Sequence, residues 1–199
     1  MSAAPSRADF IAAAYDLFRE QGYGDTTLND LARRARSDLS AVQAEFHDKN
    51  ALFNAVLNTY NPLDDLRAAL TGANGDSAEE IIREAAHRMI DAAEKHAAFF
   101  ELIMINPKVN HGGSMLNLSA RLLPDALALL KRLKQSGQLR PVSDMILART
   151  LISMVIGFVA SERAMPQVGR MAMRLIPQKG WVDGMIDLML YGVLEDDQR

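Results

Sequence analysis

The segment from Thr26 to Phe53 places the tightest constraint on the fold of this chain. It reads TTLNDLARRARSDLSAVQAEFHDKNALF, and its apolar residues recur at the spacing of two short helices and the start of a third. Thr27 and Asp38 stand where N-caps would begin the two short helices, and Asp48 stands where one would begin the third. The side chains of Leu39, Val42 and Phe46 would then face a core. This is the pattern of a helix-turn-helix.

The rest of the sequence also shows helical spacing and no strand-like alternation. We predict an all-α fold of about nine helices, with the first helix closed by Gly22 and Gly24. Residues 1–60 would form an N-terminal three-helix domain, and residues 61–199 a larger helical domain, linked by the first part of a long fourth helix. Pro62 and Pro124 would either bend or end the helices in which they lie.

Composition and motifs exclude several classes of function. The chain has no cysteine, which removes disulfides, thiolate metal sites and cysteine nucleophiles and suits the cytoplasm. It contains no GxSxG, no glycine-rich phosphate loop and no HExxH, so we predict no enzymatic activity, no catalytic residue and no cofactor. His87 and His96 lie nine residues apart rather than four, which predicts no metal site. The longest apolar run, Thr150 to Ala160, is too short to span a membrane and indicates a buried core helix.

Three stretches of the sequence resemble those of a known family. FREQGY ends the first helix, TTLNDLARRA forms the second, and DKNALFNAVL begins the fourth. From Arg7 to Leu57 the chain resembles the N-terminal domain of TetR-type transcriptional regulators. The resemblance implies a homodimer that binds double-stranded operator DNA, represses transcription and is released by a small apolar or amphipathic ligand. It also implies that the last two long helices pair between subunits.

The resemblance assigns roles in DNA binding by position. Thr27 and Lys49 would contact phosphates from the starts of the second and fourth helices. Ser40, Ala41, Gln43 and Ala44 would face base edges or backbone. The full candidate set is Thr27, Arg36, Leu39, Ser40, Ala41, Gln43, Ala44, His47 and Lys49.

Several of these positions depart from the family pattern. Arg36 stands where the family usually has a glycine, at a position that often requires positive φ. Gln43 stands where the family usually has a tyrosine. Residues 1–60 hold six basic and eight acidic side chains, and no Lys or Arg lies between Ser37 and Asp48. Phosphate contacts supply most non-specific affinity. The alternative is therefore a TetR-fold protein that has lost specific DNA binding and works as a ligand-binding or protein-interaction dimer.

A ligand cavity is predicted in the C-terminal domain. Methionines in different predicted helices suit an irregular apolar ligand, and charged residues that interrupt apolar stretches could orient its polar end. The candidates are Met89, Phe100, Met104, Met115, Arg121, Met154, Phe158 and Glu162. Ordinary core packing and surface ion pairs are the alternative explanation for each of them.

The helices predicted from Asp144 to Met165 and from Lys179 to Glu195 carry apolar residues around most of their circumference. A single chain would leave much of this surface exposed, which favours a partner helix pair from a second subunit. Gly157, Ala160 and Gly192 would permit close approach. Full burial within one subunit is the alternative.

Overall fold

The computed structural model describes residues 4–105, 113–135, 142–166 and 175–191, with single residues at 139, 169 and 171. Within these residues it has ten helices and no strand, which confirms the all-α prediction. The helices are α1 (Arg7–Asp25), α2 (Leu28–Arg34), α3 (Leu39–Glu45), α4 (Lys49–Thr59), α5 (Leu63–Thr71), α6 (Ala78–Lys95), α7 (Ala97–Ile105), α8 (Gly113–Lys134), α9 (Asp144–Ala164) and α10 (Gln178–Leu190).

The helices group into two compact units. The first combines Met1–Asn61 with His96–Ser114, and the second combines Pro62–Lys95 with Met115–Arg199. Helix α7 therefore packs with α1 and α4, although α6 and α8, its neighbours in sequence, lie mainly in the second unit. The division into domains at residue 60 stays a prediction.

The first unit is built around the apolar stripe of α1. Phe10, Ala14 and Phe18 on this helix are at most 2% exposed. The ring of Phe18 meets the ring of Phe53 edge to face at 5.1 Å, and the ring of Tyr23 meets Phe53 at 5.0 Å. Full burial of a side chain of this size contributes about 2 kcal/mol, so these rings are a main source of the unit's stability.

Side-chain caps fix the starts of most helices in this unit. Capping boxes join Ser6 to Asp9 and Thr27 to Asp30, and the Asp48 carboxylate accepts from the Ala51 amide at 2.7 Å. Asp38 is the N-cap of α3 as predicted, but its side chain makes no cap hydrogen bond, so that part of the prediction is wrong. Asp38 is exposed, and water can satisfy the free amides at an exposed helix start.

Gly22 departs from the prediction, whereas Pro62 follows one of its two predicted alternatives. Gly22 does not end α1: its φ of 80° kinks the helix, which continues to Asp25. The Thr26 hydroxyl donates to the Gly22 carbonyl at 2.6 Å and satisfies the group that the kink frees. Pro62 ends the predicted fourth helix, and α5 begins after it, which raises the number of helices from about nine to ten. Pro124 lies inside α8.

In the second unit, α6 is the central helix and packs against α5, α9 and α10. Its buried face includes Ile82, Ala85, Met89 and Ile90, each at most 2% exposed. The small side chain at residue 85 lets a neighbouring helix approach closely. Burial of this face accounts for the position of α6 between its three neighbours.

An ionic cluster connects α6 to α10. The Arg83 guanidinium binds the carboxylates of Glu79 at 2.6 Å and Asp183 at 3.6 Å, and also that of Asp187. The His87 Nε2 lies 2.8 Å from the Asp183 carboxylate, and the Tyr191 hydroxyl donates to Glu79. The Arg83 side chain is only 24% exposed, so these contacts are partly shielded from solvent.

Helix α9 has one buried and one exposed face. Leu151, Ile152 and Val155 are at most 2% exposed, whereas Met145 is 50% and Ile146 is 60% exposed. The prediction of a buried core helix therefore holds for one face only. By length and composition Asp144–Glu162 could also cross a membrane, and a third of that segment is buried inside the chain. Met145 and Ile146, in the first turn of α9, are its exposed large apolar side chains, whereas Arg149, Thr150 and Ser153 make the rest of the exposed side polar.

Candidate nucleic-acid interface

The turn between α2 and α3 has a defined geometry. The Ser37 amide donates to the Ala32 carbonyl at 2.9 Å, and the Arg36 amide donates to the Arg33 carbonyl at 3.2 Å. These are the two hydrogen bonds of a Schellman motif, which requires a left-handed residue after the C-cap. Arg36 occupies that position with φ 53° and is the only non-glycine residue with positive φ in the described part of the chain. The sequence-based expectation of positive φ at this residue is confirmed.

Replacing Arg36 with glycine should stabilise the fold by about 1 kcal/mol, because glycine adopts the left-handed region without the Cβ penalty. Arg36→Ala removes the same side chain but keeps the Cβ, so it should give no such gain. Equilibrium unfolding in urea compares the two variants with the original chain. A glycine variant no more stable than the alanine variant would show that the turn stores no strain.

Apart from Glu45 at its end, helix α3 presents only uncharged side chains to solvent. Val42 in α3 and Phe46, the residue that follows it, are at most 1% exposed, and Leu39 is half-buried. The predicted outward positions are all exposed: Ser40, Ala41, Gln43 and Ala44. With short side chains at three of four positions, the backbone of α3 can come close to a flat or grooved surface.

Thr27 and Lys49, the two predicted phosphate contacts, both have partners inside the chain. The hydroxyl and amide of Thr27 are engaged with Asp30 at 2.6 and 2.9 Å. The Lys49 Nζ donates to the carbonyl of Tyr23 at 2.7 Å and to that of Gly24 at 3.0 Å, and lies 4.4 Å from the centre of the Tyr23 ring. The ammonium group thus joins the start of α4 to the last turn of α1, where a cation is favourable.

We expect Lys49→Met to destabilise the fold by about 1 kcal/mol, since two hydrogen bonds to carbonyls and a cation–π contact disappear while the apolar stem stays. Lys131→Met, at an exposed position of α8, is the matched control and should change stability by less than about 0.5 kcal/mol. Thermal unfolding followed by circular dichroism gives both values. Equal effects of the two substitutions would show that Lys49 has no structural role.

Most other basic side chains of the first unit form ion pairs. Their partners are Glu45 for Arg7 at 3.0 Å, Glu101 for Arg19 at 3.3 Å, Asp30 for Arg33 and Glu20 for Arg34. Arg36 is exposed, and among the described basic residues up to position 60 its side chain alone has no ion pair, hydrogen bond or ring contact. Its guanidinium is therefore the group most available to a phosphate.

Two of these acidic partners, Asp30 and Glu20, are held in their charged form. A hydrogen bond from Thr27, followed by one from Arg33, lowers the pKa of Asp30. A hydrogen bond from Arg34 lowers the pKa of Glu20. His47 is exposed and lies 3.1 Å from the Asp48 carboxylate. The surface around α2 and α3 thus carries paired charges of both signs and has little net attraction for a polyanion.

The predicted ligand residues differ in their surroundings. Met89 and Phe158 are buried in the second unit, where Met154 and Glu162 are half-buried and Arg121 is exposed. Phe100 is buried in the first unit, where its ring meets that of Phe99 at 5.5 Å. The side chains of Met104 and Met115 lie outside the described residues. The ligand site stays a prediction.

A pocket of about 330 Å³ lies in the second unit, away from that predicted set. Its lining includes Glu79 at the start of α6, Val142 and Leu147 near the start of α9, and Met189 and Tyr191 at the end of α10. Sequence reasoning missed these residues because they come together only through packing of three helices that are distant in sequence. Its mixture of apolar and polar groups is typical of small-molecule sites.

Three comparisons place the chain among known proteins. Residues 10–56 match the family described as bacterial regulatory proteins, tetR family. The solved TetR-family regulator PfmR of Thermus thermophilus is 21% identical, with a TM-score of 0.67 over 97% of this chain and 100% of its own. A TetR/AcrR-family regulator of Thermobifida fusca is 22% identical, with a TM-score of 0.68 over 95% of this chain and 98% of its own.

FadR of Bacillus subtilis, solved in complex with stearoyl-CoA, is 12% identical, with a TM-score of 0.68 over 95% of this chain and 100% of its own. No curated protein sequence matches this chain. All three solved proteins are transcriptional regulators. Residues 10–56 thus match the helix-turn-helix domain of the tetR family, and the fold of the chain is similar to that of solved TetR-family transcriptional regulators.

Proposed function

We propose that this chain is a cytoplasmic one-component repressor that binds operator DNA as a homodimer and is released by a small apolar or amphipathic ligand. The observation that carries the proposal is the surface of α3. Helix α3 follows a Schellman turn and begins at an N-cap. It exposes four small or uncharged side chains, as a helix that enters a major groove requires.

The exposed faces of α9 and α10 support the homodimer. A Cβ at Gly157 or at Gly184 would have no heavy atom within 4 Å in the described part of the chain, apart from its chain neighbours and the backbone of its own helix. Glycine inside a helix costs about 1 kcal/mol relative to alanine, and nothing within the described part of the chain offsets that cost. Close approach of a second copy would offset it and would also cover Met145, Ile146 and Leu188. Such an interface accounts for these exposed apolar side chains without a membrane.

The ligand class rests on two observations. The pocket of about 330 Å³ combines apolar lining with the carboxylate of Glu79 and the hydroxyl of Tyr191. The solved FadR of Bacillus subtilis, which shares the fold, holds stearoyl-CoA, a molecule with a long apolar chain and a charged head. We therefore propose a ligand with an apolar body and a polar end.

A second candidate function is favoured by the charge distribution. Five of the six basic residues up to position 60 already have partners within the chain, which reduces the cations free to neutralise phosphate. On this reading the chain is a ligand-binding or protein-interaction dimer that keeps the helix-turn-helix shape without specific DNA binding.

A titration at low salt distinguishes the repressor from the dimer without specific DNA binding. The purified chain is added to a labelled duplex that spans its own upstream region, and retardation is measured beside Ala44→Asp, which places a carboxylate on the exposed face of α3. Retardation by the original chain and a loss of at least about tenfold in the variant would support the repressor. No retardation by either chain at about 10 µM, with helical circular dichroism intact, would favour the second function.

A further inference from the structure

We propose that α3 reads A·T base pairs in the major groove and makes no contact that selects guanine. The inference rests on the proposed function, because it specifies the class of operator that the same surface would recognise. It is carried by the identity and order of the side chains on the exposed face of α3.

The order of these side chains follows from the helical period of about 100° per residue. Val42 is buried, and Ser40 and Ala44 lie nearly opposite to it, at the centre of the exposed face. Gln43 lies on one side of this central line, and Ala41 lies on the other. Two short side chains at the centre allow the helix axis to approach base edges, so the flanking side chains can reach them as well.

Gln43 is the side chain on this face that can form two directed hydrogen bonds with one base. A glutamine amide donates to N7 and accepts from N6 of adenine, which is the pairing that distinguishes adenine in the major groove. Gln43 is exposed, and no hydrogen bond holds it within the described part of the chain. The side-chain amide of Gln43 is therefore free to form hydrogen bonds with a base.

Ala41 and Ala44 supply methyl groups at the exposed surface. An apolar side chain in the major groove contacts the C5-methyl of thymine, which no other DNA base carries. Methyl groups beside an amide that reads adenine would together select A·T pairs. Guanine is read mainly by Arg or Lys through O6 and N7, and α3 has neither residue.

The one acidic side chain of α3 is held by a partner. The Arg7 guanidinium donates to the Glu45 carboxylate at 3.0 Å and to its carbonyl at 2.9 Å, while resting 4.4 Å from the centre of the Phe46 ring. A free carboxylate would accept from N4 of cytosine, and would also repel phosphate. The contact with Arg7 offsets the charge of Glu45 and competes with both roles, so the uncharged side chains are the main reading surface.

The test is a selection from a duplex pool with a randomised centre, performed with the original chain and with Gln43→Arg in parallel. We expect the original chain to enrich half-sites with adenine and thymine at the positions beneath α3. Gln43→Arg should change one adenine of each half-site to guanine, because arginine pairs with O6 and N7. Since residue 43 is exposed, the variant should keep its fold, which circular dichroism verifies.

Two base substitutions in the enriched duplex test the proposed contacts with adenine N7 and with the thymine methyl groups. Replacing the selected adenine by 7-deazaadenine should weaken binding by the original chain about tenfold, because the N7 acceptor is lost. Replacing the selected thymines by uracil should weaken it about threefold or more, because only methyl groups are lost. Arg36→Ala should weaken binding to all duplexes alike if its guanidinium contacts phosphate.

Different results would contradict the preference for A·T pairs and the binding of DNA itself. Enrichment of half-sites that require guanine beneath α3, or indifference of the adenine position to Gln43→Arg, would overturn the inference alone. A change in base preference with Arg36→Ala would also overturn it, since the turn and not α3 would then read a base. Retention of no duplex at all would overturn both the inference and the proposed function.

Discussion

Gly157→Leu should weaken dimerisation about 100-fold and abolish operator binding at concentrations where the original chain is dimeric. In the described chain a side chain at this position enters open space, so the substitution should not harm the isolated subunit. Leucine should even favour α9 locally by about 1 kcal/mol, since glycine is a poor helix former. In a symmetric dimer the added side chain enters the interface twice, and overpacking costs about 1–3 kcal/mol at each site.

Ala128→Leu provides the control, because it adds the same side chain to an exposed position of α8. Sedimentation velocity across a concentration series measures the association of the original chain and both variants. The control should dimerise normally. If Gly157→Leu also dimerises normally and is simply more stable, then the exposed face of α9 is not the subunit interface.

Arg83→Met should destabilise the fold by about 2 kcal/mol, the second-largest effect that we expect. The substitution keeps most of the apolar stem and removes the guanidinium that joins Glu79 to Asp183 and Asp187. Three carboxylates then lie near one another at the α6–α10 contact without their shared cation. Breaking a shielded ion pair costs more than breaking an exposed one. Lys131→Met is again the control, and urea unfolding measures both.

The same cluster predicts how stability depends on pH. A hydrogen bond from Tyr191, and then one from Arg83, lowers the pKa of Glu79 below its ordinary 4.5. A hydrogen bond with His87 lowers the pKa of Asp183 below its ordinary 3.8. A carboxyl with a lowered folded-state pKa stabilises the fold above its unfolded-state pKa and loses this contribution as pH falls through the folded-state value. The stability difference between the original chain and Arg83→Met should therefore narrow below about pH 4. A constant difference from pH 7 to pH 3 would show that the lost stability is not ionic.

The sequence predicts the helix-turn-helix well because its signals are local. Capping residues, apolar spacing and the required conformation of Arg36 all act within a few positions, and the structure reproduces the predicted N-caps at Thr27 and Asp48. It also predicts the exposed face of α3, since burial of Val42 and Phe46 fixes the opposite side of the helix.

Other features depend on contacts between distant residues and could not be predicted. Nothing near Lys49 indicates that its ammonium binds carbonyls of α1 more than twenty residues away. The pairing of Arg7 with Glu45 joins residues that are 38 positions apart. The pocket near Glu79 and Tyr191 likewise requires the packing of α6, α9 and α10. Helical period identifies which face of a helix is apolar, but not which distant helix covers it.

Fluorescence anisotropy of a labelled upstream duplex, titrated with the purified chain at several salt concentrations, tests the central claim most directly. We predict saturable binding of two chains per half-site pair. The logarithm of affinity should fall with that of salt with a slope of only about −2 to −4, because few cations are free to contact phosphate. No change in anisotropy up to about 10 µM dimer at low salt, with the helical fold intact, would contradict the claim that this chain is a repressor.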